Sequence, residues 1–205
     1  MPELPDLYIL ARSMDEALRG RRIESVDVHQ PRCLNLAPAA LSQAVRGATI
    51  ASARQRGKWA LLELDSLDLL AINLGMGGEV CLHRPDELAD PGRERVVFRL
   101  DDGRQLWVHF WWFGQVHVVP GGDLSAHPQL ARLGPEPLAD DFTCERLAAL
   151  LHGRRGALKK YLLDQSFIAG IGNVYVQDIL WHARLHPLVA ASALSPEDVA
   201  RLHEA

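Results

Sequence analysis

Residues 118–142, VVPGGDLSAHPQLARLGPEPLADDF, carry proline and glycine at a density that neither a helix interior nor a central strand tolerates. They divide the 205-residue chain into two halves of different periodicity. From Arg22 to Val119 the pattern is mostly that of short strands. RIESVDVH alternates, and TIASARQRGKWALLEL reads as two strands around a turn at Arg56-Gly57. LDLLAINLGMGGEVCLH and RVVFRLDDGRQLWVHF follow, the latter broken by the hairpin signal Asp102-Gly103. A short helix is expected near Leu41–Val45. Ahead of the strands, Leu7, Leu10, Ala11, Met14 and Leu18 make the stripe of an amphipathic helix, with Pro5 in its first turn and Gly20 at its stop. From Thr143 onward the period is helical: TCERLAALL, ALKKYLLDQ, NVYVQDILWHARL and SPEDVARLHEA. The fold class is therefore α+β. An N-terminal antiparallel β-sandwich preceded by a helix (residues 1–120) is joined by a linker (121–141) to an α-helical domain (142–205). The last helix carries a cap signature at Ser195 but no stop signal before residue 205, which reads as a C-terminal truncation.

Composition removes several function classes. Apolar residues at 48% and charged residues at 23% are ordinary for a globular chain. Cys33, Cys81 and Cys144 lie far apart, so they build neither a disulfide framework nor a cysteine zinc site. His182 and His186 stand four apart at a helix end, but no third ligand accompanies them. No signal peptide or membrane-length apolar run is visible, and a cytoplasmic protein without membrane contact is expected, nucleoid-associated if bacterial. The net charge of −4 disfavours nucleic acid as a partner. That average hides a local excess between Leu151 and His186, where Arg154, Arg155, Lys159, Lys160 and Arg184 face only Asp164 and Asp178. Arg54, Arg56 and Lys58 form a second basic knot; either run reads equally as a solvated face.

Two short motifs suggest chemistry. In DQSFIAGIGNVY two helices meet through a tight connection holding Gly170 and Gly172, with Asn173 read as the N-cap of the second helix. A helix start with free N–H groups suits a phosphate, although an ordinary helical hairpin with a polar cap fits the same residues. MPELPD places a proline second, where loss of Met1 would leave it as the free N-terminus; a capped helix start explains the same letters.

Taken with RGKWALLEL, NLGMGG and HPQLARLGPEPL, in that order along the chain, these motifs resemble the formamidopyrimidine-DNA glycosylase / endonuclease VIII family of base-excision repair enzymes. The resemblance covers essentially the whole chain, and it identifies the connection between the two helices as a helix–two-turn–helix motif. It implies a bifunctional enzyme that acts as a monomer on damaged double-stranded DNA, excising oxidised bases and cleaving the strand by β,δ-elimination. Pro2 would be the amine nucleophile, Glu3 the acid on the sugar ring oxygen, and Lys58 a phosphate contact near the lesion. Asn73, Met76, Trp111, Phe113, Lys159, Asn173 and Tyr175 fall at positions that contact DNA, with Met76 filling the gap left by the everted base. Core packing is the competing reading for Met76, Trp111 and Trp112.

The sequence also departs from the family pattern. Asp6 stands where the family has glutamate, Asn73 where most members have histidine, and Trp111-Trp112 where the 8-oxoguanine branch has two arginines. A tryptophan lacks the guanidinium fork that reads a base edge, so weak discrimination of the opposite base is expected. The family's C-terminal zinc finger has no counterpart in these residues, so no cofactor is expected in this chain. Two other readings remain: a catalytically weak damaged-DNA-binding member of the same fold, and an N-terminal-proline tautomerase. The helical second half has no place in the latter.

Overall fold

The computed structural model describes all residues from Met1 to Ala205. Two compact units divide the chain, Met1–Pro128 and Gln129–Ala205.

The first unit opens with α1 (Leu4–Leu18), whose buried stripe is Leu4, Leu7, Ala11, Met14 and Leu18. Glu3 is its N-cap residue, and Asp6 Oδ2 accepts the Glu3 N–H at 2.9 Å, the return half of a capping box. Eight strands follow: β1 (Ile23–Val28), β2 (Ile50–Arg56), β3 (Trp59–Leu64), β4 (Leu69–Asn73), β5 (Glu79–His83), β6 (Glu94–Leu100), β7 (Gln105–His109) and β8 (Gln115–Val119). They form two four-stranded antiparallel sheets in the orders β1-β6-β7-β5 and β2-β3-β4-β8. The expected short helix is α2 (Pro38–Val45). Phe98 and Val108 from one sheet, Leu62 and Ile72 from the other and Leu7 from α1 share one core, each fully buried. Burial of each such large side chain is worth about 1.5–3 kcal/mol. Both anticipated hairpins are present; Gly57 and Gly103 adopt φ of +55° and +83°, which their turns require and a side chain would resist.

In the second unit α3 (Cys144–Leu151), α4 (Leu158–Leu163), α5 (Tyr175–His182) and α6 (Pro196–Glu204) enclose a separate core that includes Leu147, Leu162, Ile168, Val176, Leu180 and Leu202. Thr143 caps α3, and Ser195 with Asp198 closes a full capping box on α6. Asn173 is not the cap it was read as. The N-cap residue of α5 is Val174, already in αR geometry and without a side-chain cap bond. The helical hydrogen bonding begins earlier, with Val176 N–H donating to Gly172 O at 3.1 Å, so the backbone turns into the helix without needing the asparagine. Before α3 the chain makes single 3₁₀ turns at Pro120–Gly122, Leu124–Ala126 and Leu130–Arg132.

One polar cluster is embedded in the first unit. His117 Nδ1 and His127 Nε2 lie 2.8 Å apart, and the buried Trp59 ring packs against both imidazoles, with centroids at 5.6 and 5.3 Å. A single shared hydrogen bond needs one donor and one acceptor, so at least one ring is neutral. Burial, and then the neighbouring His127, push His117 down to about 4, and burial lowers His127 as well. In the unfolded chain both histidines take up protons near pH 6.5. The unfolded state therefore binds more protons between about pH 6.5 and 4, and stability is lost as pH falls through that window. Thermal melts from pH 7 to pH 4.5 should show a falling Tm, and His117→Gln should flatten that dependence.

Candidate active site

The N-terminal segment is shaped by the helix that follows it. Glu3 holds an extended φ of −115° at the start of α1, and its side chain is buried with the residue only 3% exposed. A carboxylate this enclosed needs compensation, and Lys58, in the turn between β2 and β3, contributes a favourable charge. Lys58 is half-buried; desolvation pushes its ammonium below the ordinary 10.5, while the field of the Glu3 carboxylate works in the opposite direction. Two of the three residues expected to act in catalysis thus lie within each other's electrostatic field, and the third, Pro2, precedes Glu3 by one peptide bond. Met1 is exposed, and its carbonyl carbon holds the Pro2 nitrogen as an amide.

Asn73 ends β4 opposite Trp59. Its Nδ2 donates to Lys58 O at 3.0 Å and its Oδ1 accepts Gly75 N–H at 3.0 Å. The side chain expected to contact DNA is therefore also a staple between the lysine turn and the next loop, leaving one amide hydrogen for a further partner. That loop carries Met76, whose backbone exchanges two bonds with the loop after β7: Met76 N–H to Trp112 O at 2.8 Å and Trp111 N–H to Met76 O at 3.0 Å. The glycines around Met76 permit this closeness. A Cβ on Gly75 would lie 2.1 Å from Trp112 O, and one on Gly77 would lie 2.5 Å from Trp111 Cδ1. Met76, Trp111, Trp112 and Phe113 all project into solvent, which removes core packing as the explanation for the methionine and the two tryptophans. Asn73 as a staple and the backbone pairing of the two loops could not be read from the sequence, since both link residues distant along the chain.

In the second unit Lys159 is half-buried on α4, Asn173 is exposed, and Tyr175, the first residue of α5, is half-buried. The two-turn connection is shaped by Gln165, a residue the sequence did not single out. Its Nε2 donates to Leu163 O and Ile171 O at 3.1 and 2.8 Å, and its Oε1 accepts Gly170 N–H at 2.9 Å. Gly170, at φ +94°, is the position there that needs glycine. Arg154 lies over the rings of Tyr161 and Phe167, 5.8 and 5.7 Å from their centroids, so one of the basic residues in this stretch is spent on its own unit.

No group of three or more histidine, cysteine or acidic side chains in residues 1–205 could hold a metal ion, so these residues do not fit the zinc of the family's finger. No helix is long and apolar enough to cross a membrane.

Comparison with known proteins matches this architecture at the level of sequence and fold. The formamidopyrimidine-DNA glycosylase N-terminal domain matches residues 1–130, and the H2TH domain of the same family matches residues 133–205. The formamidopyrimidine-DNA glycosylase of Chloroflexus aurantiacus is 40% identical over 207 residues, covering 100% of this chain and 73% of its own length. That of Paracoccus denitrificans is 38% identical, covering 98% and 74%. Among solved structures, Lactococcus lactis formamidopyrimidine-DNA glycosylase bound non-covalently to DNA containing an AP site superposes with a TM-score of 0.90 at 27% identity, over 98% of this chain and 76% of that one. The wild-type L. lactis enzyme with DNA containing N7-benzyl-Fapy-dG gives 0.92 at 27%, over 99% and 75%. The chain belongs to the formamidopyrimidine-DNA glycosylase family of base-excision repair.

Proposed function

We propose that this chain is a bifunctional DNA glycosylase and AP lyase that excises damaged bases through a Schiff base on Pro2. Catalysis is assigned to residues 1–120 and grip on DNA to the helical residues 142–205, with 121–141 connecting them. The observation that carries the reading is the buried Glu3 carboxylate, which α1 sets in place beside Pro2 and in whose field the half-buried Lys58 stands.

The chemistry follows from these groups. Removal of Met1 frees Pro2 as a secondary amine, and α-amines titrate near pH 8, about two units below lysine. Its lone pair attacks C1′ of the damaged nucleotide; the N-glycosidic bond breaks, its electron pair leaves with the base, and the base takes up the proton that the Pro2 nitrogen gives up, so that nitrogen regains its lone pair. Glu3 gives a proton to the ring oxygen as the C1′–O4′ bond opens, and the nitrogen lone pair closes a cationic iminium. That cation accepts the electrons released when the C2′ proton is lost, expelling the 3′ phosphate. A second proton loss expels the 5′ phosphate, and hydrolysis of the imine returns free Pro2. Lys58 supplies positive charge to a phosphate at the lesion, and Lys159, Asn173 and Tyr175 contact the backbone further along. The Trp111-Trp112 pair replaces polar recognition of the opposite base.

Borohydride trapping on a duplex with one abasic site, using protein whose intact mass lacks Met1, should give a covalent adduct that maps to Pro2. Met-free protein that binds the duplex and yields no adduct would instead make the chain a damaged-DNA-binding member of its family. Glu3→Gln should lower base excision by about 100-fold or more, the scale of general-acid catalysis. It should slow cleavage at a preformed abasic site less, because there no ring-opening accompanies base loss. Lys58→Met should weaken duplex binding and reduce the slope of log K against log salt by about one. Because burial lowers the Lys58 pKa, the wild type should lose that contact as pH rises, at a lower pH than an ordinary lysine would.

A further inference from the structure

We propose that His117 and His127 are positioning residues for Lys58: joined by one hydrogen bond, the two rings clamp Trp59 and so brace the turn that presents the lysine. The inference rests on the reading of Lys58 as a phosphate contact given above, and it names what keeps that cation in place.

Sheet register puts the parts together. Trp59 opens β3 immediately after Lys58 and lies opposite Asn73 on β4, which lies opposite Gln115 on β8. Residues directly opposite share a face, and so do residues two apart along a strand. Trp59 and His117 therefore project from the same face of the β2-β3-β4-β8 sheet. It is the outer face, because Ala60, Leu62, Ile72, Val116 and Val118, which alternate with them, belong to the core shared with the other sheet. Trp59 is nevertheless only 4% exposed. His127 brings cover to it from beyond β8. It follows the 3₁₀ turn Leu124–Ala126, which Asp123 caps by accepting Ser125 N–H at 2.9 Å.

The ring geometry is that of a clamp. His127 meets the Trp59 ring edge-on, at 78° between planes, and His117 meets it at 45°, while the imidazole nitrogens bond to each other at 2.8 Å. Displacing the indole means parting two partners that hold one another and leaving a polar atom of a buried ring unpaired. Trp59 shares a peptide unit with Lys58, and the oxygen of that unit, Lys58 O, accepts the Asn73 amide at 3.0 Å. The chain leaving Lys58 is thus held twice, through its carbonyl by Asn73 and through the next side chain by the histidines. On the other side of Lys58 stands Gly57, which has no side chain to anchor.

The charges on this face suit the role. Arg54 and Arg56 on β2 lie opposite Leu61 and Trp59, and Glu63 on β3 accepts hydrogen bonds from Ser52 and Arg54. β4 presents Leu69, Ala71 and Asn73 there, none of them ionisable, and Asp123 is bonded to Ser125. Burial holds both rings below the ordinary histidine range, with His127 as the charge that acts on His117. A neutral clamp braces the turn without repelling the Lys58 ammonium.

The test measures binding of the full chain to a duplex with one tetrahydrofuran abasic analogue, which reports grip without chemistry. His117→Leu breaks the imidazole bond; it should weaken binding by about tenfold and lower the slope of log K against log salt by about one, the loss of a single phosphate contact. The Lys58→Met/His117→Leu double variant should bind within about twofold of Lys58→Met alone, because both changes remove the same contact. The Lys58 ammonium, followed by NMR, should titrate closer to 10.5 in His117→Leu than in the wild type as the turn opens to water. His117→Asn and His127→Gln, whose amides replace the bonded ring nitrogens, should keep wild-type binding, slope and titration. If His117→Leu does not fold, His127→Ala, which alters a turn and not a strand, takes its place with the same expectations. Additive losses in the double variant, or a lower Tm with salt slope and Lys58 titration unchanged, would overturn the proposal and leave Lys58 as a phosphate contact. Lys58→Met without effect on binding, with the Lys58 titration still displaced in His117→Leu, would overturn the phosphate reading of Lys58 and support the clamp.

Discussion

The side-chain amide of Asn73 is the interaction on which the organisation of the first unit's functional end depends. A histidine there could not repeat it, because one imidazole cannot place a donor on Lys58 O and an acceptor on Gly75 N–H with the geometry of a single planar amide. With both ends engaged, the amide ties the turn that presents Lys58 to the loop that presents Met76. The antiparallel register of β3 on β4 sets Trp59 opposite Asn73 and so delivers the amide to the lysine turn.

Charge is distributed to match. The chain is acidic as a whole, and many of its arginines are committed to carboxylates on its own surface, as in Arg19–Asp15, Arg99–Asp27 and Arg201–Asp198. Exposed pairs of this kind contribute little to stability, typically under about 1 kcal/mol, but they remove cations from the pool available to a phosphate backbone. On the proposed function, grip on DNA falls to placed aromatic surface and to a few desolvated charges such as Lys58 more than to a broad positive field.

Much of the architecture was legible in the sequence because it rests on local rules. Alternation marked the strands, Asp102-Gly103 and Arg56-Gly57 marked their turns, and the Pro5 and Ser195 signals marked helix starts. Asn173 shows where such rules stop: a residue with high capping propensity follows the glycines, yet the backbone enters α5 through Gly172 and Val174 without using it. Gln165 shows the converse. Nothing in its flanking letters suggests a clamp, and its three bonds exist only because the two-turn connection folds back over it.

The class of fold, the order of its elements and the family can be read from the letters alone, since periodicity, turn chemistry and motif order are properties of the chain as written. The letters also place Glu3 beside Pro2, because adjacency along the chain is adjacency in space. Whether Trp111 and Trp112 belong to the core or to the surface is settled by the three-dimensional fold, since a tryptophan next to a strand satisfies either pattern. The fold likewise decided that Lys58 stands in the field of Glu3 and that Met76 pairs with Trp112. These pairings join residues tens of positions apart, and their geometry comes from sheet register and loop closure, which no local stretch of sequence encodes.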